Sequence, residues 1–204
     1  MPADTPPSWS YRPADAAIES ATWAGDMAPA LGWHFHAEDQ ITLVLSGSRG
    51  FRIDGQDLVI TAGQALHIPA GIPHLSLPHR HDGTHCLNFY VAPRTPGRPL
   101  LDDDQAQISE IASRHGMSRE GFSRAFARRT GMPPHAYRLV CRLNDARRRL
   151  RAGEAVAAVA ADLGFADQSH LGRHFRRVFG TSPRAYRDGV RSSQTFQTGR
   201  LAPI

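Results

Sequence analysis

The stretch WHFHAEDQ, residues 33–40, holds three side chains whose types and spacing suit a small coordination site. His34 and His36 stand two residues apart in a strand-like segment, and alternate residues of a strand point to one face. Gln40 follows four residues after the second histidine. Imidazole nitrogens and an amide oxygen can hold a divalent transition metal. The same groups can line a hydrogen-bonding pocket for a small molecule, or simply satisfy one another.

Residues 33–92 have the pattern of a β domain that would position these side chains. Short apolar or alternating runs are broken by Gly, Pro or Asp: ITLVLSG, FRIDGQDLVI, ALHIPAG, HLSL and THCLNFYVA. Asp54-Gly55 separates two runs and predicts a two-residue hairpin, because both turn positions need a positive φ. About six short strands with tight turns indicate a sandwich or small barrel. Residues 1–30 are expected to be irregular apart from a strand near 16–23.

The segment PRTPGRP, residues 93–99, divides the chain. Its three prolines and one glycine cannot continue a helix or a central strand. We therefore assign residues 1–92 to a β half, 93–105 to a linker, 106–188 to an α half and 189–204 to a disordered tail.

The α half contains two stretches with one layout, residues 108–138 and 156–187. Each has a small residue four positions before a glycine, then a turn, then a longer helix with Arg-x-Phe, and finally Gly-x-x-Pro. A small residue lets two helices approach closely and a glycine makes the sharp turn of a helix-turn-helix unit. Ser118 and Asp167 are the expected N-caps of the second helices. A long Arg-rich helix, about residues 134–152, joins the two units.

The net charge of +5 conceals a difference between the halves. Residues 1–91 carry four arginines and nine acidic residues, whereas residues 92–204 carry twenty arginines and ten acidic residues. The excess of positive charge in the α half predicts a polyanionic partner. No apolar run approaches the ~18 residues of a membrane span. No secretory signal is visible either, so we expect a cytoplasmic protein whose two cysteines stay reduced.

The sequence GFADQSHLGRHFRRVFGTSPRAYR resembles the signature of the AraC/XylS family of bacterial transcription regulators, and RLNDARRRL resembles its linker helix. The resemblance covers residues 106–188 and implies that two recognition helices read adjacent major-groove segments of double-stranded DNA. Family roles carried onto this chain imply base readout by Arg119, Glu120, Ser123, Arg124, Gln168, Ser169, His170 and Arg173. They imply phosphate contacts by Arg128, Arg129, Arg176 and Arg177.

The β half resembles a second family. His34-x-His36, three residues, Gln40, six residues, Gly47 is similar to the first cupin motif, with Gln where Glu is usual. The stretch from Gly63 to His74 in GQALHIPAGIPH is similar to the second motif. The resemblance extends to the sensor domains of many AraC-type regulators. It implies a small barrel in which an effector or metal pocket is formed by His34, His36, Gln40 and His74. The candidate ions are Zn, Fe, Mn and Ni.

The expected fold class is α+β with two domains, a cupin-like β-barrel followed by an all-α domain with two helix-turn-helix units. The leading hypothesis is a transcription regulator, not an enzyme, that senses a small molecule or a metal. The alternative is a metal-dependent cupin enzyme, of dioxygenase or isomerase type, with an accessory DNA-binding domain. A third hypothesis is a truncated regulator that binds DNA constitutively and weakly.

One departure from the family pattern bears on assembly. Members usually have a further helix before the first helix-turn-helix unit, and often a dimerisation helix before that. Here the corresponding segment, RTPGRPLLDDDQAQ, is too short and too proline-rich to supply either. We therefore expect incomplete packing of the first unit, and a monomer or a homodimer joined through the β half. Expected partners are DNA, a small-molecule effector and RNA polymerase.

Overall fold

A computed structural model of the chain describes residues 9–14, 17–78, 80–93, 101 and 106–192. Within these residues the strands are β1 Ser10–Ala14, β2 Ala17–Met27, β3 Leu31–His34, β4 Asp39–Ser46, β5 Ser48–Ile53, β6 Gln56–Thr61, β7 Ala65–Ile68, β8 His74–Leu77 and β9 Arg80–Val91. The helices are α1 Ile108–Arg114, α2 Arg119–Thr130, α3 Pro134–Arg151, α4 Val156–Asp162, α5 Gln168–Phe179 and α6 Pro183–Ser192. The strands precede the helices, which confirms the α+β class and the order of the two domains.

The strands form two antiparallel sheets. The first has the order β1-β2-β9-β4-β7 and the second the order β3-β8-β5-β6. Side chains such as Val44, Phe51 and Ile68 alternate inward and are buried, as the period of two along a strand requires. The Asp54-Gly55 hairpin is confirmed, because both residues have positive φ (50° and 78°) and Ile53 lies opposite Gln56.

The strand expected near residues 16–23 is β2 Ala17–Met27, whereas β1 Ser10–Ala14 lies in a segment that was expected to be irregular. β1 pairs with β2, and β2 also pairs with β9 over most of its length. In β2 the inward positions are Glu19, Ala21 and Trp23. A glutamate in an inward position breaks the apolar alternation by which a strand is recognised from sequence.

The α half consists of two helix-turn-helix units joined by α3, as predicted. The Ser118 hydroxyl accepts from the Gly121 amide at 3.1 Å, and the Asp167 carboxylate accepts from the His170 amide at 2.6 Å. Both N-caps are therefore confirmed. Helix α6 runs to Ser192, four residues past the domain boundary expected at residue 188. None of the described helices is long and apolar enough to cross a membrane.

Residues outside the first helix-turn-helix unit contribute to its apolar packing. Phe35, from the turn after β3, stacks on Tyr137 with ring centroids 4.7 Å apart. Leu101 is buried in the same apolar cluster as Phe122 and Phe126 of α2. In the described part of the chain no helix precedes α1. The expected incomplete packing is thus corrected for the described residues, because Phe35 of the β half and Leu101 complete the apolar cluster of the first unit.

Candidate functional site

Helix α2 presents most of its predicted DNA-contacting residues to solvent. Arg119, Glu120 and Arg124 are exposed, and Ser123 is half-buried. Arg128 and Arg129, in the last turn, are also exposed. The apolar face of the same helix is turned inward through Phe122 and Phe126. The structure therefore brings the predicted residues together on the outer surface of the first unit.

Helix α5 repeats this arrangement with one difference. Gln168, Ser169 and Arg173 are exposed, whereas His170 is half-buried. The His170 Nδ1 atom accepts from the Ala166 amide at 3.2 Å, and its ring meets Phe165 edge-on. This histidine therefore stabilises the turn before α5, and only its Nε2 atom remains available for a contact with a DNA base.

The four predicted phosphate contacts are not equivalent. Arg176 and Arg173 line a groove of about 680 Å³ between α5 and α6, together with Arg184 and Arg187. Arg177 is not among the residues that line this groove, and a Cβ on Gly32 of β3 would be 3.3 Å from its Nε. Among the described carboxylates none pairs with Arg173 or Arg176, whereas Arg184 pairs with Asp188 at 3.7 Å. Arg176 is thus better placed for a polyanion than Arg177.

The second candidate site is a buried cluster of His34, His36 and His74. Each ring offers one nitrogen atom, and these three atoms lie within 4.8 Å of one another. His34 ends β3 and is the register partner of His74 at the start of β8, while His36 lies in the turn that follows β3. The convergence implied by the cupin motifs is therefore present in the barrel.

Backbone carbonyls fix the protonation of two of these rings. The Nδ1–H of His34 donates to the Gly32 carbonyl at 2.6 Å, and that of His74 donates to the Ile72 carbonyl at 2.9 Å. A neutral ring with its proton on Nδ1 keeps a lone pair on Nε2. Orientation of a histidine through its second nitrogen is typical of metal ligands.

His36 has the opposite arrangement. Its Nδ1 lies 3.2 Å from Nη1 of Arg147, and a guanidinium can only donate, so Nδ1 must accept. The proton of a neutral His36 ring is therefore on Nε2. The Gln40 side chain lies beside this ring. Its amide nitrogen donates to the Thr42 hydroxyl at 2.8 Å, and its oxygen is buried without a partner among the described residues.

All three rings are neutral at physiological pH. Burial, together with nearby histidine and arginine side chains, lowers the pKa of His34 and His36 well below the usual value. Burial and Arg49 lower the pKa of His74 to about 4, against the opposing effect of its backbone hydrogen bond. Neutral imidazoles are the form that binds a metal. No described carboxylate belongs to the cluster, so its donor set suits nitrogen-seeking ions better than hard cations.

Arg147 of α3 connects the histidine cluster to the α half. Its side chain is fully buried and forms ion pairs with Glu19 of β2 and with Glu38, the latter at 3.2 Å. The Tyr186 hydroxyl of α6 donates to Glu19, and Arg151 pairs with Glu38 at 2.8 Å. Burial would raise the pKa of Glu38, but the two guanidiniums hold it below its usual value. We call Glu19, Glu38, Arg147, Arg151 and Tyr186 the Arg147 network.

Sequence reasoning missed this network. The two glutamates are 128 and 109 positions from Arg147 along the chain. Arg147 itself lies in RLNDARRRL, where its neighbours Arg148 and Arg149 are far more exposed. The available signal was periodic: Val140, Leu143, Arg147 and Leu150 share one face of α3, so this arginine occupies a core position.

Two tryptophans of the β half cover the ends of both recognition helices. Each helix ends at a left-handed glycine, Gly131 with φ 73° and Gly180 with φ 69°, a common helix termination. A Cβ on Gly131 would be 3.1 Å from the Trp33 ring, and one on Gly180 would overlap the Trp9 ring. The β half therefore packs against the C-terminal ends of α2 and α5.

Comparison with known proteins defines the class of protein. Residues 24–77 match the Cupin domain family, and residues 111–189 match a Helix-turn-helix domain family. The chain thus joins an N-terminal cupin domain to a C-terminal helix-turn-helix domain of the AraC type, which confirms both resemblances read from the sequence.

Particular relatives sharpen this assignment. The helix-turn-helix-type transcriptional activator RhaS of Escherichia fergusonii is 40% identical over 80 residues, which are 39% of this chain and 29% of RhaS. RhaS of Escherichia coli O157:H7 is 36% identical over 87 residues, or 42% of this chain and 31% of RhaS. The match therefore spans less than a third of these curated relatives. The crystal structure of ToxT from Vibrio cholerae, with an unsaturated fatty acid bound, shares the fold with a TM-score of 0.56, at 10% identity over 85% of this chain and 95% of ToxT.

Proposed function

We propose that this protein is a sequence-specific DNA-binding transcription regulator that responds to a ligand of its β half. The observation that carries the proposal is the pair of recognition helices, α2 and α5, whose outer faces present Arg124 and Arg173 to solvent. Arginine is the commonest reader of guanine edges in the major groove. The RhaS relatives are named transcriptional activators, which favours a regulator over an enzyme.

The polar positions around these arginines complete the proposed contacts. Arg119, Gln168 and Ser169 would reach neighbouring base edges, and Gln168 has the amide that suits adenine. Arg128, Arg129 and Arg176 would contact phosphates, which fix the register without specifying sequence. Gly172 is buried and has no side chain, so it leaves no contact of its own on α5.

Communication between the halves is proposed to pass through α3. This helix joins the two helix-turn-helix units, and Arg147 ties it to two strand-side glutamates and to His36. Any ligand that disturbs His36 or Glu38 therefore acts on the helix that spaces the recognition helices. A ligand changes an equilibrium only by its different affinity for the two arrangements, and this contact supplies such a difference.

The test is selection of DNA from a random duplex library by the full chain, followed by binding measurements on the selected sequence. Arg124→Ala and Arg173→Ala should each weaken binding by about 1–3 kcal/mol and relax specificity at a few adjacent positions. Arg52→Ala is the matched control, since Arg52 is an exposed arginine of the β half. Wild-type affinity and specificity in both test variants would overturn the proposal.

The histidine cluster supports a second candidate, that the sensed ligand is a divalent metal. The Nε2 atoms of His34 and His74 and the amide oxygen of Gln40 would hold it. His36 could join only with its proton moved to Nδ1, and Nδ1–H cannot accept from Arg147. A bound ion would supply a local positive charge, and engagement of His36 would release one hydrogen bond of the Arg147 network.

Calorimetric titration of untagged protein with Zn²⁺, Fe²⁺, Mn²⁺ and Ni²⁺ tests this candidate. Stoichiometric binding that His74→Ala abolishes would support it. His67→Ala is the control, because His67 is an exposed histidine that pairs with Asp39 at 3.1 Å outside the cluster. If the wild type binds none of the four ions, the metal candidate is wrong, and the cupin-enzyme alternative loses its metal.

An edge strand supports the expectation of a homodimer through the β half. β6 ends the four-stranded sheet, and its Leu58 and Val59 side chains are exposed. Unpaired edges with apolar side chains are templates for association. Sedimentation of the wild type and of Val59→Lys would separate a β6-mediated dimer from a monomer.

A further inference from the structure

A cleft of about 580 Å³ lies between the β half and α3. Its strand-side wall includes Ile18, Phe35 and Ala70, and its helix-side wall includes Tyr137 and Cys141. The volume falls within the range of about 300–1,000 Å³ that is usual for small-molecule sites. None of the proposed DNA-contacting residues lines it, so its occupation would not compete with DNA for the same atoms.

The charges at the rim of the cleft are matched. Glu38 pairs with Arg151 at 2.8 Å, and Arg148 pairs with Asp145. These are two acidic and two basic residues of the lining. An ionic ligand would find no unmatched partner here, and burying its charge would carry a desolvation cost. The mostly apolar walls instead favour an uncharged molecule.

Two residues of the lining have a buried side-chain atom without a hydrogen-bond partner among the described residues, His36 at Nε2, on the side of Gln40, and Asn144 at Oδ1. Asn144 donates from Nδ2 to the carbonyls of Phe35 at 2.9 Å and Val140 at 3.1 Å. These two bonds fix the orientation of the amide, because only its nitrogen can donate. The Oδ1 atom is left buried with no partner among the described residues. A buried acceptor without a donor is destabilising, and a ligand O–H or N–H that reaches it from the cleft would satisfy it.

The aromatic side chains in the walls of the cleft narrow the class of ligand further. Phe35 and Tyr137 stack across the boundary between the halves with an interplanar angle of 28°. A flat ring can lie against such a pair in offset or edge-on contact. We propose that this cleft binds an uncharged aromatic molecule with one hydroxyl or N–H donor, of the phenol or indole class. The proposal rests on the regulator function above and names the chemistry of its effector.

The position of the cleft gives such a ligand a way to act. His36, Glu38 and Arg151 line it, and all three contact Arg147 or its partners. The ligand would contact both halves at once and would stabilise the arrangement in which α3 is docked on the barrel. Binding in the docked state alone is what couples occupancy to conformation.

The test uses 2-naphthol, an uncharged fluorescent aromatic alcohol, with naphthalene and 2-naphthoate as comparisons. Titration of the full chain without DNA should give one site for 2-naphthol. Naphthalene should bind about tenfold more weakly, because it lacks the one net hydrogen bond. The charged 2-naphthoate should also bind more weakly. Equal affinity for 2-naphthol and naphthalene, tighter binding of 2-naphthoate, or no binding of 2-naphthol would overturn the proposal.

Two variants locate the site. Ala37→Trp places a large side chain at the exposed edge of the cleft and should abolish binding, whereas Ala62→Trp, in the β6–β7 turn, should not. Asn144→Leu should reduce 2-naphthol affinity to that of naphthalene and leave naphthalene affinity unchanged. A loss of both affinities would show a merely structural role for Asn144 and count against the proposal. Retention of 2-naphthol binding by Ala37→Trp would also count against it.

The regulator function and the ligand chemistry of the cleft can be contradicted by different results. If DNA selection yields no specific sequence while 2-naphthol binds as described, the regulator function is wrong and the cleft remains a ligand site. If DNA selection succeeds and 2-naphthol does not bind, only the effector chemistry is wrong.

Discussion

The two helix-turn-helix units have the same local design but are held by the β half in different ways. Both have an N-cap, Ser118 or Asp167, and both recognition helices end at a left-handed glycine under a tryptophan. The second unit shares one apolar core with the barrel, to which Phe175 and Phe179 contribute. The first unit belongs to a separate cluster that reaches the β half through Phe35.

Polar contacts add to the difference in how the β half holds the two units. The second unit lies beside the Arg147 network, and the Tyr11 hydroxyl of β1 donates to the Phe179 carbonyl at the end of α5. The first unit has the Asn144 bond to the Phe35 carbonyl as its nearest counterpart. A repeated sequence therefore specifies the fold of each unit, whereas its placement depends on the surface that receives it.

The largest expected effect comes from breaking the Arg147 network. Arg147→Met leaves Glu19 and Glu38 buried without their main counterion, which should reduce the free energy of unfolding by about 3–5 kcal/mol. Urea denaturation measures this change. Arg148→Met is the matched control on the exposed face of α3 and should change stability by less than about 0.5 kcal/mol. A loss below about 1 kcal/mol for Arg147→Met would mean that the network does not hold the halves together.

Removal of each tryptophan compares the two attachments directly. Trp9→Ala empties a fully buried site and should cost about 3–5 kcal/mol. Trp33 is half-buried, so Trp33→Ala should cost less and weaken mainly the DNA contacts of the first unit. Urea denaturation and hydroxyl-radical footprinting on selected DNA measure the two effects. If both variants lose the same half of the footprint, the separate roles of the tryptophans are wrong.

Salt dependence tests the two arginines in the last turn of α5. Arg176→Ala should reduce the slope of log affinity against log salt by about 0.9, the value for one lost phosphate contact. Arg177→Ala should leave the slope nearly unchanged, because that side chain lies against Gly32. Titrations of selected DNA between low and moderate salt provide the measurement. A larger change for Arg177→Ala than for Arg176→Ala would place the phosphate contact at Arg177.

The smallest expected losses of stability come from removing the N-caps, the feature in which the two units are most alike. Ser118→Ala and Asp167→Ala should each cost about 1 kcal/mol. Asp167→Ala should cost slightly more, because a carboxylate also interacts favourably with the positive end of the helix dipole. Denaturation of both variants measures the two losses in free energy of unfolding. A larger loss for Ser118→Ala than for Asp167→Ala would contradict the expected order.

Features determined by neighbouring residues were predictable from the sequence. The Asp54-Gly55 hairpin, both N-caps and the extent of α3 follow from turn and capping preferences and from helical periodicity. The convergence of His34, His36 and His74 was implied by the resemblance to the two cupin motifs. Each of these signals lies within one short segment or in a pattern that a family has made recognisable.

Features that depend on contacts between distant segments were not predictable. Glutamate and arginine are rarely fully buried, so neither Glu19 nor Arg147 announces its place in the core. β1 was not predicted, and β2 was predicted only in part, near residues 16–23. The partner of His36, which decides its tautomer, lies 111 positions along the chain. The covering of the first unit by Phe35 likewise depends on how the halves dock, and no local pattern contains that information.

The buried Arg147 network bears on the construction of chimeric regulators. A hybrid that joins this barrel to helices without arginines at the equivalents of positions 147 and 151 would inherit Glu19 and Glu38 but no guanidinium between them. Such a transplant should misfold or dissociate unless arginines are introduced at the equivalents of positions 147 and 151. Whether a barrel and a helical domain are compatible is therefore decided by a few matched charges where the two domains meet. The length and composition of the connecting segment matter less.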